Sequence, residues 1–411
     1  MIIELKIENF RSIKKEVVFS MVATKDKTLD NNLISNALKD DKLLKSAVIY
    51  GANASGKTNI LLALNFFKAL VLNSHNHQKG QGIKFTPFKL DEKYLKKPTK
   101  FQIVFIKNGI KYDYSVSFDK DKIIEEALYH YPNNKKATIF ERTKTDEFKF
   151  ISEEKDQKFI AKRTLENVLY LSKSVQENLS ITTQAFEWFS QELQFVGPYE
   201  PVISEEFTIN ILNSDKKLKG LVLKALLEAD VGIEDVNAVV KKLDDLPVGI
   251  PPEIKTLIAN QKGAFKQNEI KTMHKGVAFD FYSEESEGTK RMFSLIGHWI
   301  DALRNGKILV IDELDTKLHH LLNVFLINLF HDPTQNKNDA QLIFTTHNIN
   351  LLDQDIFRRD QIWFTEKDGE TGASDLYSLI EYSPRKDKDI QKGYLAGKYG
   401  ALPLIKDNRI F

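Results

Sequence analysis

Cysteine is absent from all 411 residues. Disulfides, thiolate metal sites and cysteine nucleophiles are therefore excluded. Long apolar runs are missing as well. No window of about 18 uncharged apolar residues exists, so no transmembrane helix is expected. The opening "MIIELKIENF" carries acidic residues within its apolar stretch and has no signal-peptide core. There is no excess of one charge: 59 Lys and Arg face 57 Asp and Glu, a net charge of +2. Bulk charge thus gives no reason for nucleic-acid binding, and any such contact needs a local basic face. A sustained heptad repeat is lacking, which argues against a long coiled coil. What is present is 42% hydrophobic and 28% charged, ordinary for a globular chain with two or three lobes, and a cytoplasmic protein is expected.

Periodicity gives an α/β chain. "IIELKIENF" alternates, with Ile3, Leu5 and Ile7 on one face of a strand. "AVIY" (Ala47 to Tyr50) is a short buried strand that stops at Gly51. From Lys57 to about Leu72, Ile60, Leu61, Ala63, Leu64, Phe67, Leu70 and Val71 recur at helical spacing. "FQIVFIKNGIKYDYSVSF" is two alternating runs about Asn108-Gly109, a strong hairpin signal. With "ALYHYPNNKKATIFER" it predicts an antiparallel sheet over residues 100–152. Residues 167–243 are expected to be mainly helical, and "LPVGIPPE" (Leu246 to Glu253) breaks the pattern. Beyond it come a helix from about Glu287 to Leu303, a buried strand "KILVID", another helix, and a strand "QLIFTTH". The boundaries read 1–160, with the phosphate loop and hairpins; 161–275, a mainly helical insertion; and 276–411.

Between the second strand and the first helix stands "GANASGKTN". Gly51-x4-Gly56-Lys57-Thr58 fits the phosphate-binding loop, in the strand-to-helix context that such a loop requires. Small residues let backbone N–H groups turn in around a β-phosphate, and the helix start adds its dipole. Lys57 can reach the β- and γ-phosphates, and the Thr58 hydroxyl can ligate Mg²⁺. A buried strand Ile308 to Ile311 delivers Asp312 and Glu313 at its carboxyl end. Asp312 is then a magnesium ligand, directly or through water, and Glu313 the base for the attacking water. His347 ends a third strand and can bond the terminal phosphate or the water. Ser286 precedes a helix. It is first of all a helix cap, and the same helix start can also hold a phosphate.

In this order the motifs resemble those of ATP-binding-cassette ATPases of the SMC, RecF and OLD type. "GANASGKTN" is similar to their Walker A, "ESEGT" to their signature, "LVIDELD" to their Walker B, "THN" to their switch and "IENFRSI" to their amino terminus. Closer still, "ESEGTKR", "IDELDTKLHH", "TTHNINLLD" and "KGYLAGKYGALP" resemble compact abortive-infection ATPases of the AbiLi/RloA type. The resemblance implies an ABC-type P-loop fold with an antiparallel β subdomain and a helical insertion, and ATP hydrolysis with Mg²⁺. By it, Arg11, Gly51, Asn53, Ser55, Gly56, Lys57, Thr58 and Asn59 bind nucleotide, with Thr58 and Asp312 on the metal and Glu313 and His347 catalytic. Ser286, Gly288 and Asp315 act from a second chain, so that two chains sandwich ATP as a homodimer or larger oligomer. The signature reads "ESEGT" rather than "LSGGQ" but keeps Ser286 and Gly288. Gln102 is the candidate for the glutamine loop.

The resemblance further implies a defence ATPase that controls a separate effector, a nuclease or toxin. The alternative is a RecF-like ATPase that binds DNA directly, for which Lys93 to Lys100 and Asn133 to Lys144 are candidate basic stretches. A built-in nuclease of the OLD kind needs clustered carboxylates after the core. "KDKD", with Asp387 and Asp389, reads as a solvated turn.

Overall fold

A computed structural model of the chain describes residues 1–35, 37–39, 41–197, 205–229, 232–241, 267–382 and 389–403. The chain divides into two compact units. The first comprises Met1–Phe195, Ala302–Leu314 and Ile327–Phe411, and the second Val196–Asp301 and Asp315–Leu326.

Two large sheets build the first unit, beside a small one of Leu33–Ile34 and Leu43–Leu44. One has seven strands in the order Glu147–Phe150, Ala137–Lys144, Ile123–His130, Ile110–Phe118, Thr99–Lys107, Ile2–Glu8 and Val17–Ser20, and each neighbouring pair is antiparallel. The Asn108-Gly109 turn closes the hairpin Thr99–Phe118, with φ of 51° and 75° at the two residues, as the right-handed twist of the strands requires. The other sheet places Ser46–Gly51 between Gln341–Thr345 and Ile362–Lys367, all parallel, with Ile308–Ile311 parallel beyond Gln341–Thr345. These strands read as continuous apolar runs because both faces are covered. The helix Lys57–Asn73 buries the seven apolar residues named from its period. Its Phe67 stacks on Phe101 and Tyr114 and meets Phe189 edge-on, at centroid distances of 5.2, 5.5 and 5.4 Å. Ligand sites of parallel sheets lie at strand carboxyl ends. Here those ends bring Gly51, Asp312 and Thr345 to one edge.

The opposite ends are fixed by a buried polar cluster. Ser46 Oγ lies 2.7 Å from His331 Nε2, and Gln361 Nε2 donates to Ser46 Oγ at 2.7 Å. Asn32 Nδ2 donates to Gln361 Oε1, also at 2.7 Å. Burial, then the nearby Lys45 charge, lowers the His331 pKa to about 3. Folded His331 therefore stays neutral where the unfolded residue takes up a proton. Its contribution is fully present above about pH 6.5 and is lost as pH falls toward 3, at up to about 1.4 kcal/mol per pH unit. Stability of the wild type is expected to fall more steeply from pH 6.5 to 4 than that of His331→Gln. Parallel pH curves by denaturant titration would contradict this.

The second unit holds the helices Glu205–Ser214 and Lys216–Glu228 and an antiparallel sheet of Asp235–Lys241, Gln267–His274 and Val277–Asp280. The strand Asp235–Lys241 departs from the helical reading of 167–243. "DVNAVVK" alternates, and Val236 and Ala238 are buried while Val239 is exposed. The break at Leu246 to Glu253 lies outside the described residues. Among the described residues, no helix is long and apolar enough to cross a membrane.

Candidate nucleotide site

The loop Gly51 to Gly56 leaves the central strand and enters the helix at Lys57. Its first glycine is needed because a Cβ at Gly51 would lie 2.5 Å from the Thr365 backbone oxygen. Gly56 is needed twice over: its φ is 114°, and a Cβ would lie 2.8 Å from Ser374 Cβ. Ala54 also has positive φ, at 62°. Asn53 and Ala54 are exposed at the tip, and Ser55 is buried, its Oγ 2.6 Å from Thr365 Oγ1. The Lys57 ammonium, on a residue only 6% exposed, donates to the carbonyls of Gly51 at 2.7 Å and Ala52 at 3.1 Å. It therefore lies along the concave side of the loop. The first N–H groups of a helix have no intrahelical acceptor, so Lys57 and Thr58 present theirs at the loop.

Thr58 Oγ1 donates to Asp312 Oδ2 at 2.9 Å, and Thr345 Oγ1 donates to Asp312 Oδ1 at 2.6 Å. Asp312 is 6% exposed, so the two hydroxyls hold a buried carboxylate. Thr345 Oγ1 also accepts from the Glu313 backbone N–H at 2.8 Å, and Thr345 O accepts from Leu314 N–H at 3.1 Å. Glu313 sits at φ 52°, a left-handed conformation that costs of order 1–3 kcal/mol for a non-glycine residue. The strand-to-strand bonds hold it there, and its side chain points outward, 54% exposed. His347 Nε2 lies 3.9 Å from Glu313 Oε1.

Ser12, beside Arg11, ties the amino-terminal turn to the helix. Asn59 Nδ2 donates to Ser12 Oγ at 2.6 Å. Ser374 Oγ lies 2.7 Å from Ser12 Oγ and donates to Ser55 O at 2.6 Å. Arg11 itself is exposed, with φ 52° and its N–H bonded to Thr86 O. Sequence reasoning missed Ser12, Thr345, Thr365 and Ser374. Thr345 carried a signal, as a hydroxyl at the buried end of an apolar strand. Gln102 donates to Asp113 across the hairpin at 2.7 Å, a bond internal to the seven-stranded sheet. Asp389 caps the helix Ile390–Leu395 by accepting from Lys392 N–H, and Asp387 lies outside the described residues.

In the second unit, Ser286 Oγ accepts from Thr289 N–H at 3.0 Å, the bond expected of a helix cap, at the start of the helix Glu287–Asn305. A Cβ on Gly288 would lie 3.2 Å from Lys317 O. Lys317 Nζ bonds Glu287 at 2.6 Å and Lys290 Nζ at 3.0 Å, which together hold that carboxyl down to about pKa 2. Asp315 is half-buried, and its carbonyl accepts from Leu318 N–H at 3.2 Å.

The donor set fits magnesium with a nucleotide. Thr58 and Asp312 supply hard oxygens at one point, and this ion typically completes its shell with waters and phosphate oxygens. Among the described residues no group of three or more His, Asp or Glu side chains forms an all-protein metal cage.

No curated protein matches the chain. Among solved structures it is similar to the "SMC head domain from Thermotoga maritima", at 14% identity and TM-score 0.41, over 92% of this chain and 98% of that one. It is likewise similar to an SMC head "bound to the C-winged helix domain of ScpA", at 16% identity and TM-score 0.43, over 93% and 99%. The family described as "AAA domain, putative AbiEii toxin, Type IV TA system" matches residues 46–353. That match takes in the phosphate loop, Asp312, Glu313 and His347, and the protein belongs to this AAA-domain family.

Proposed function

We propose that the chain is an ATP-gated dimeric switch, the ATPase of an anti-phage defence system that controls a separate nuclease or toxin. One observation carries the ATPase chemistry: Thr58, Asp312, Thr345 and Glu313 form a bonded series that joins the start of the helix Lys57–Asn73 to the ends of two parallel strands. In this reading Lys57 meets the β- and γ-phosphates, and the loop N–H groups, with Asn53, Ser55, Asn59 and Arg11 around them, enclose the nucleotide. Thr58 and Asp312 hold Mg²⁺, which when bound neutralises charge on the phosphate oxygens. Glu313 takes the proton of the attacking water. Its main chain is held in place through Thr345. His347 orients the water or the terminal phosphate. Ser286, Gly288 and Asp315 of a second chain complete the site, so ATP joins two chains and hydrolysis releases them.

The defence role is supported by the resemblance to abortive-infection ATPases and by the family's description. Direct DNA binding draws less support. Lysines of the candidate basic stretches are engaged locally: Lys97 lies over the Tyr94 ring, Lys100 near Glu8 and Lys144 against Glu147.

The test is Ser286→Arg. This variant is expected to bind ATP as the wild type does, since Lys57 is untouched. It should lose ATP-dependent dimerisation and at least about 10²-fold in kcat, the scale set by removing a transition-state charge contact. Full activity would make Ser286 a helix cap alone and would remove the composite site.

A further inference from the structure

The turn that presents Ser286 and Gly288 is anchored one residue earlier. Glu285 has a side chain only 8% exposed, and its Oε1 accepts from the Thr272 hydroxyl and lies 2.6 Å from His274 Nε2. Thr272 and His274 are two apart on the strand Gln267–His274, so both reach the same face of the sheet. That strand is the middle of three: Thr272 pairs with Val236 on one side and Phe279 on the other. The chain leaves the third strand through the helical turn Phe281–Glu284, whose Phe281 packs on Phe293 of the following helix at 5.0 Å. Glu285 is therefore bonded back to the centre of the sheet it has just left. On its other side the turn is held by Glu287, through Lys290 and Lys317. Ser286 and Gly288 alternate with these two carboxylates. Each residue offered to a phosphate is flanked by one that grips the scaffold.

We propose that Glu285 is a positioning residue for ATP hydrolysis, one that fixes the Ser286–Gly288 turn to the inserted three-stranded sheet through Thr272 and His274. This rests on the reading of Ser286 as a phosphate contact in the composite site. The carboxylate does not touch the nucleotide; it sets where the Ser286 hydroxyl and the helix start stand.

The experiment compares full-length Glu285→Ala, Glu285→Gln, His274→Ala and the Glu285→Ala/His274→Ala pair with Ser286→Arg, by steady-state ATPase kinetics, ATP binding and thermal melting. Glu285→Ala is expected to lower kcat about tenfold, as small misplacements at reacting centres do, with ATP affinity within about twofold of wild type. Glu285→Gln keeps the accepting oxygen and should stay within about threefold of wild-type kcat. Because one bond is being removed twice, the double variant should be no slower than Glu285→Ala. If Glu285→Ala melts early, His274→Ala, at a partly exposed position, carries the test with an expected loss of about threefold or more. Wild-type kcat in Glu285→Ala or in His274→Ala, or additive losses in the pair, would overturn the proposal. Should Ser286→Arg be inactive in the same assay, the composite site would still stand. Full activity of Ser286→Arg would instead overturn the reading beneath it.

Discussion

Lys57→Ala is expected to bring ATP binding below detection in a direct titration. Lys57 places its ammonium on the concave side of the loop, on the carbonyls of Gly51 and Ala52 at 2.7 and 3.1 Å. A ligand phosphate there takes over the ammonium as partner. A charge-assisted bond in a buried setting is worth about 1.5–3 kcal/mol, and one cation meets two phosphates here, so the loss is about 10²-fold or greater. The alanine also frees both loop carbonyls of their donor, which loosens the cradle itself. Wild-type affinity in this variant would mean that the loop does not hold the phosphates.

Glu313→Gln has the second large effect, and a different one. ATP binding and dimerisation are expected to persist, because the loop, Thr58 and Asp312 are untouched. Hydrolysis should fall by about 10²–10⁴-fold, since an amide cannot accept the proton of water. The change is nearly isosteric and the side chain is more than half exposed, so folding should be indifferent to it. The left-handed backbone at Glu313 is held by Thr345, which the substitution leaves in place. The variant should therefore accumulate as an ATP-bound dimer, visible as a shift in hydrodynamic size with ATP and absent with ADP. Normal turnover would show that Glu313 is not the base.

The parts legible in the sequence are those in which chemistry and local structure coincide in one short stretch. The phosphate loop needs glycines at the strand-to-helix turn, and they stand at Gly51 and Gly56. The Asn108-Gly109 hairpin needs positive φ at two adjacent residues, and this pair adopts it at least cost. The helix after the loop shows its buried face at period 3.6. Asp312 and Glu313 are legible because an apolar strand ends on them.

What sequence reasoning missed is assembled across strands. Thr345, 33 residues from Asp312, reaches it only because Gln341–Thr345 lies beside Ile308–Ile311 in parallel register. Ser374 reaches Ser55 and Ser12 from a strand that follows the parallel set and runs against it. A lone serine there has no local pattern. The strand Asp235–Lys241 was hidden for another reason: it follows two helices, Glu205–Ser214 and Lys216–Glu228, whose period runs up to it. The anchor of Glu285 on Thr272 and His274 needs the hairpin between them to be known before the three residues can be seen as neighbours.

The central claim is that one chain's Ser286 completes the site built on another chain's Lys57. The most direct measurement mixes two inactive variants, Ser286→Arg and Lys57→Ala, and follows phosphate release. A mixed dimer pairs an intact phosphate loop from the first chain with an intact Ser286 turn from the second, giving one sound site and one doubly defective one. Neither variant pairs with itself under ATP, so the pairs that ATP forms are mixed, each with one working site of two, and recovery of up to about half of wild-type activity is expected. No recovery, from variants shown to pair with each other in the presence of ATP, would contradict the account.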